Sequence, residues 1–218
     1  MAIKRFIATK DTTITNAYKQ SLSSRATASN MGASDILEVF TVYAQVSTSS
    51  TEESRALVNF NFTDVGSKRT DGDIPASGSV NFFLRMFNAE HSETVPISYT
   101  MQITAITKSW QEGYGLDMEE YSDVGYPDGV GATWISASDD STSLSRGKWI
   151  TAGGDFYTGV SNEYNYTASF DEDGTEDLEV DVTNLVEDFL DPRAQLSGSH
   201  GLGVRIAPVS ASLAKSHY

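Results

Sequence analysis

The sequence contains no cysteine. This absence excludes disulfide bonds, a thiolate metal site and a cysteine nucleophile, so stability has to come from packing. Histidine is also rare: His91, His200 and His217 stand far apart and lack the spacing of a metal site. No Ser-His-Asp arrangement and no phosphate-binding glycine loop accompany them.

Positive charge is scarce as well. Fifteen Lys and Arg face 30 Asp and Glu, for a net charge of −15. Such a chain repels polyphosphate, so we expect no nucleic-acid partner. No apolar run approaches the length that spans a bilayer, and residues 1–8 lack the apolar stretch of a signal peptide. We therefore expect no membrane association and synthesis in the cytoplasm without export.

Alternation of apolar and polar residues dominates the chain. Between Arg55 and Phe62, the side chains of Ala56, Val58 and Phe60 alternate with more polar ones, which predicts a half-buried strand. Segments rich in Gly, Ser, Asp and Pro separate the strand candidates and predict loops. The further predicted strands are 36–46, 80–87, 99–106 and 201–206, and the predicted loops are 66–78, 113–131, 136–147 and 171–177.

One segment has helical periodicity instead. Its apolar residues are Val182, Leu185, Val186, Phe189 and Leu190, and all five fall on one helical face. Asp181 or Thr183 can cap its start, and Asp191-Pro192 ends it. The sequence therefore predicts an all-β sandwich covered by one short amphipathic helix at about 182–190.

A succession of short motifs along the chain resembles a known family. It resembles the DNRLRE or disaggregatase-related domains, which are similar to carbohydrate-binding modules. The resemblance covers roughly residues 8–207 and implies a jelly-roll β-sandwich of two antiparallel sheets. Its landmarks, in order, are Asp11 with Ile14, 30–34, 37–39, 54–60, 84–86, Ile103 with Ile106, 109–113, 133–134, 148–149, 181–186 and 201–205.

Several landmarks also have a physical interpretation of their own. Arg55 at the head of its strand can bond a carboxylate or loop carbonyls. Gly113 ends the segment of Trp110 and Glu112 at a turn where a positive φ is useful. The segment 201–205, Gly-Leu-Gly-Val-Arg, fits a last strand that is paired centrally. We expect one domain over 1–207 with an N-terminal arm at 1–10, followed by a C-terminal tail at 208–218.

Two groups of side chains are candidates for ligand binding. Trp110, Trp134 and Trp149 could stack on a sugar ring, although aromatic residues at element boundaries more often close the ends of a sandwich. The acidic loop 171–177 offers Asp171, Asp173 and Glu176 as a calcium site, with a solvated acidic loop as the default interpretation. We expect no cofactor, with structural calcium as the alternative.

The favoured function is a non-enzymatic structural protein of a bacteriophage virion. With 30 acidic residues some carboxylate pair always fits the spacing of a glycosidase, so a catalytic pair is not indicated. An acidic sandwich made without an export signal resembles virion proteins for capsid decoration, neck or tail. We expect a homo-oligomer that docks onto other virion proteins through its long loops and its terminal segments 1–10 and 208–218. The alternative is a module that binds host-surface glycans. The candidate partner-binding residues are Ile3, Phe6, Ile7, Leu213 and Tyr218.

Overall fold

Over the residues that it describes, the structure, a computed structural model, consists mostly of β-strands in two antiparallel sheets, with two short helices. The predicted all-β sandwich is confirmed, and the jelly-roll connectivity stays a prediction. The structure describes residues 3–90, 96, 98–122, 130–139, 147–157, 165–171, 174–194, 196 and 200–207. In chain order the elements are β1 Lys10–Thr15, β2 Thr41–Tyr43, β3 Thr51–Asn59, α1 Phe62–Thr70, β4 Phe83–Met86, β5 Tyr99–Ala105, β6 Asn165–Phe170, β7 Leu178–Asp181, α2 Thr183–Leu190 and β8 Leu202–Ile206.

The larger sheet has six strands in the order β1-β3-β8-β5-β6, and β2 also pairs with β3. All these pairings are antiparallel. Strand β8 lies between β3 and β5, with Val204 opposite both Ala56 and Ile103. The predicted central pairing of the last strand is therefore confirmed.

One face of this sheet packs against the smaller sheet of β4 and β7 and against α2. From β3, Ala56 and Val58 point into this first core, because alternate residues of a strand share a face. Helix α2 is confirmed, and its N-terminus is tied to the small sheet: Asp181 Oδ1 accepts from the Thr183 N–H at 2.9 Å. The buried members of this core are Ala56, Val58, Leu84, Ile103, Ala105, Phe170, Leu178, Val180, Val182, Leu185, Val186, Phe189, Leu196, Leu202 and Val204.

The opposite face of the large sheet is covered by the described parts of the segment 106–157, which are 106–122, 130–139 and 147–157 and contain no helix or strand. Leu57, which points away from Ala56 and Val58, is fully buried in this second core. The central strands thus have apolar side chains packed on both faces. The buried members of the second core are Ile14, Leu57, Ile106, Trp110, Ala132, Trp134, Ala137 and Trp149.

The prediction for Arg55 to Phe62 was wrong at its end. Strand β3 stops at Asn59, and α1 occupies the start of the predicted loop 66–78. Asn61 ends the strand pattern because its side chain caps the helix and accepts from the Asp64 N–H at 3.2 Å. Phe62 continues the apolar alternation in sequence, but it packs from the helix onto Phe189, with ring centroids 4.9 Å apart.

The predicted strand 36–46 was also too long. Only Thr41–Tyr43 pairs as a strand, because side-chain bonds replace the ladder before it. The Ser54 hydroxyl accepts from the Phe40 N–H and donates to the Glu38 carbonyl, both at 2.8 Å. Strands β1, β6 and β7 were not among the predicted strands. Among the described residues, no helix is long and apolar enough to cross a bilayer.

Candidate functional site

Two arginines lie side by side on the large sheet. Arg55 of β3 and Arg205 of β8 are direct cross-strand partners, so both side chains emerge on one face. Arg55 Nη1 donates to the Gly153 carbonyl at 2.6 Å, and Nη2 donates to Glu53 Oε2 at 3.0 Å. The predicted bonding of Arg55 to a carboxylate and a loop carbonyl is confirmed.

Within the described residues, the Arg205 guanidinium makes a hydrogen bond through Nε alone. Its Nε donates to Gln102 Oε1 at 2.7 Å. Within the described part of the chain, its two terminal nitrogens have no hydrogen-bond partner, and the side chain remains partly exposed. Burial first, and then the Arg55 charge, lower the pKa of Arg205 from its ordinary value, while Glu53 acts in the opposite direction. Its positive charge is therefore incompletely balanced.

The ring of Phe156 lies close to both guanidinium groups. The Phe156 ring centroid is 5.6 Å from Arg55 Cζ and 5.8 Å from Arg205 Cζ, distances at which cations contact aromatic rings. Glycine makes room for the ring: a Cβ on Gly203 would lie 2.1 Å from Phe156 Cε1. We call the group of Arg55, Arg205, Phe156, Glu53 and Gln102 the arginine site.

The arginine site is a positive spot on an acidic protein. It contains two guanidinium groups and one carboxylate, whereas the whole chain carries −15. A planar guanidinium with free N–H donors binds an oxyanion in two parallel hydrogen bonds. The arrangement can therefore bind and orient an anion.

The three tryptophans belong to the covering segment, and their side chains are buried in the second core. Trp110, Trp134 and Trp149 are 2%, 9% and 6% exposed. Trp110 and Trp149 donate their indole N–H groups to the carbonyls of His200 and Thr133, at 2.7 and 2.8 Å. The structure thus gives them the packing role, and no ring face is left for a sugar to stack on.

The predicted calcium loop is described only in part. The Asp171 N–H donates to Glu176 Oε1 at 3.1 Å, and Asp173 lies outside the described residues. Over the described ranges, no three His, Asp or Glu side chains come close enough together to hold a metal ion. A calcium site at Asp171, Asp173 and Glu176 stays a prediction.

The N-terminal segment runs over the surface beside α1. Lys4 Nζ pairs with Asp73 Oδ2 at 2.9 Å, and the Thr9 N–H donates to the Asn59 carbonyl at 2.8 Å. Between these anchors Ile7 is 86% exposed, and Ile3 next to Lys4 is 82% exposed, whereas Phe6 is partly buried. Leu213 and Tyr218, with the tail 208–218, lie outside the described residues.

An open groove lies between the end of β3, α1 and the end of α2. Its volume is about 720 Å³. Amide and hydroxyl groups alternate with aromatic rings along its wall. The lining residues are Thr9, Asn59, Phe60, Asn61, Phe62, Thr63, Gly66, Phe189, Leu190 and Pro192.

Sequence reasoning singled out Arg55 but missed the rest of the arginine site. Glu53 lies two residues before Arg55 on the same strand, on the same face, but no local motif marks it. Gln102 reaches Arg205 through strand pairing, and Phe156 reaches both arginines through the fold of the covering segment. One signal was present in the sequence. A glycine two residues before an arginine in a central strand, Gly203 before Arg205, marks a place where a large side chain can lie on the sheet.

Comparisons of the chain with models of protein families, with curated proteins and with solved structures found no match. The resemblance to the DNRLRE or disaggregatase-related domains accordingly stays a prediction. The case for a function therefore depends on the geometry of the chain itself.

Proposed function

We propose that this chain is a non-enzymatic assembly protein, a structural component of a bacteriophage virion that self-associates and docks onto other virion proteins. The supporting observation is the N-terminal segment, where Ile3 and Ile7 are 82% and 86% exposed. The family resemblance and the acidic composition support the proposed placement in a capsid-decoration, neck or tail position.

The N-terminal segment has the properties of a docking element. The Lys4 to Asp73 ion pair and the Thr9 to Asn59 hydrogen bond hold it against the domain at both ends. Phe6 is partly buried, while Ile3 and Ile7 are exposed to solvent. Burying a fully exposed isoleucine against a partner contributes about 1.5–3 kcal/mol. Two such side chains on an anchored segment favour association.

The test replaces both isoleucines with serine. We expect the double variant Ile3→Ser, Ile7→Ser to weaken self-association and incorporation into particles by about tenfold or more, since apolar burial is lost. Sedimentation and particle incorporation of the labelled chain measure the two effects. The matched control is Ile150→Ser, because Ile150 is 91% exposed on the segment 106–157. Equal behaviour of the double variant and the control would overturn the proposal.

A second candidate function is recognition of host-surface glycans. The groove of about 720 Å³ favours it, because Asn59 and Asn61 lie beside Phe60 and Phe62 on its wall. Amide groups bond sugar hydroxyls, and ring edges pack on sugar C–H groups. Titration with soluble host polysaccharide tests this function. Saturable binding that weakens in Asn59→Ala and persists in Ile3→Ser, Ile7→Ser would favour glycan recognition over assembly.

A further inference from the structure

We infer that the arginine site binds a carboxylate of an acidic peptide segment on a protein partner. The site is separate from the exposed isoleucines, and nothing in the proposed assembly role requires it. The inference rests on that proposed function in one respect, which is that the ligand belongs to a protein.

The donor geometry is the first argument. Arg205 is fixed by the bond from its Nε to Gln102 Oε1 at 2.7 Å and by the Phe156 ring beneath it. Within the described residues both of its terminal nitrogens lack a protein acceptor. A guanidinium held in this way presents a preorganised pair of donors, and a carboxylate matches them with two parallel bonds.

The charge of the site selects a monoanion. Glu53 Oε2, at 3.0 Å from Arg55 Nη2, compensates one of the two guanidinium groups. The remaining positive charge suits a carboxylate, whereas a phosphate dianion would also meet the nearby Glu53 carboxylate. Inorganic phosphate should therefore bind more weakly than an acidic peptide.

The packing of Phe156 argues for a peptide over a sugar acid. The ring contacts both guanidinium groups and lies against Gly203 and Gly154, where a Cβ would come within 2.1 and 2.8 Å of it. Phe156 is partly buried by this packing, which reduces the ring surface on which a sugar could stack. An acidic side chain needs only to reach the terminal nitrogens of Arg205.

The experiment is an NMR titration of the full chain with a peptide that has the sequence of residues 171–177, Asp-Glu-Asp-Gly-Thr-Glu-Asp. We expect saturable shifts of the Arg205 side-chain resonances that weaken as NaCl is raised. Arg205→Gln should weaken binding by about tenfold or more. Arg205→Lys keeps the positive charge but loses the planar pair of N–H donors, so this variant should also bind the peptide more weakly. The matched control is Arg193→Gln, because the Arg193 side chain is 89% exposed and distant in sequence.

Each outcome decides the inference. The same peptide with Asn and Gln in place of its acidic residues should not bind, and equal binding of the two peptides would overturn the inference. Binding of oligogalacturonate or inorganic phosphate at Arg205 without binding of the acidic peptide would also overturn it. If Arg205→Gln does not fold, Arg205→Lys still decides the result. A negative titration combined with a positive result for Ile3→Ser, Ile7→Ser removes this inference and keeps the assembly role.

Discussion

At the scale of single residues, glycine decides where rings and charges can lie on the central sheet. Gly203 is the second residue of β8, and Phe156 occupies the space that a side chain there would fill. Gly201 just before β8 has φ +97° and lies against the Val58 carbonyl, 2.2 Å from where its Cβ would be. The Gly-x-Gly spacing is therefore a packing requirement of the sheet and of the arginine site.

We expect Gly203→Ala to destabilise the protein by about 1–3 kcal/mol, because its methyl group overlaps Phe156 in a packed interior. Chemical unfolding measures the change. Gly66→Ala is the matched control: Gly66 is inside α1, and its Cβ would meet only Leu190 Cδ2 at 3.9 Å. There we expect a gain of about 0.5–1 kcal/mol from helix propensity. A destabilisation of the same size in both variants would contradict the assignment of a special role to Gly203.

A second residue-scale prediction concerns pH. Burial first, and then the Lys10 charge, lower the pKa of His200 from its ordinary value of 6.5. The unfolded chain therefore binds the proton more readily, and stability falls as the pH drops through 6.5 towards the folded-state pKa. His200→Gln should flatten this part of the curve in unfolding experiments over a pH series. An unchanged slope would show that other groups cause the dependence.

The same pH series distinguishes the effect of His200 on stability from that of Asp11. Burial raises the pKa of Asp11 above 3.8, so its proton is held more tightly in the folded state. The contribution of Asp11 to the free energy of unfolding is lost as the pH rises through 3.8 and then through the folded-state pKa. The two residues thus act with opposite signs, the effect of Asp11 beginning as the pH rises from 3.8 and that of His200 as the pH falls from 6.5.

At the scale of elements, side-chain hydrogen bonds organise the described parts of the covering segment 106–157. Asn30, in the connection between β1 and β2, is fully buried beside this segment. Its Nδ2 donates to the carbonyls of Glu112 and Ala132 at 2.7 and 2.8 Å, and its Oδ1 accepts from the N–H groups of Gly32 and Gly115 at 3.1 and 2.9 Å. Every hydrogen-bonding position of the amide is used, so Asn30 organises the turns of this segment.

We expect Asn30→Ala to destabilise the protein by roughly 3 kcal/mol or more, because it leaves buried carbonyl and N–H groups without their partner. The exposed Asn88 supplies the control, and Asn88→Ala should change stability by less than about 0.5 kcal/mol. Thermal unfolding of both variants measures the difference. Near-native stability of Asn30→Ala would mean that other contacts hold the segment.

Elements that are determined by residues close in sequence were predictable, whereas features that depend on contacts between distant residues were not. Helix α2 has its own periodicity and a proline soon after its end, so its extent was predicted closely. The predicted cap at Asp181 or Thr183 was wrong, because the N-cap is Val182, which makes no side-chain cap bond. Strand β3 ended earlier than predicted because the Asn61 side chain caps a helix there. The alternation of apolar and polar residues does not reveal such a cap. The arginine site depends on Phe156, which contacts Arg55 only through the tertiary fold, and local patterns do not encode such contacts.

At the scale of the whole molecule, the charge of −15 opposes any contact between copies. Screening weakens this repulsion beyond a Debye length of about 10 Å at 0.1 M salt. We therefore expect self-association through Ile3 and Ile7 to strengthen as NaCl is added, whereas binding of the 171–177 peptide at Arg205 weakens. Sedimentation and the NMR titration over the same salt series measure the two trends. Trends of the same sign would mean that both processes use one kind of interaction.

The position of β8 has a consequence for how the chain reaches its native state. Strands β1 and β3 are joined to β5 and β6 only through residues 202–206, the last strand in the described sequence. During translation the two halves of the sheet cannot pair until that strand has left the ribosome. Until then each half has an unpaired strand edge. Nascent chains stalled before residue 202 should therefore recruit chaperones and resist proteases poorly, and protection should arise abruptly once Leu202–Ile206 emerges from the exit tunnel.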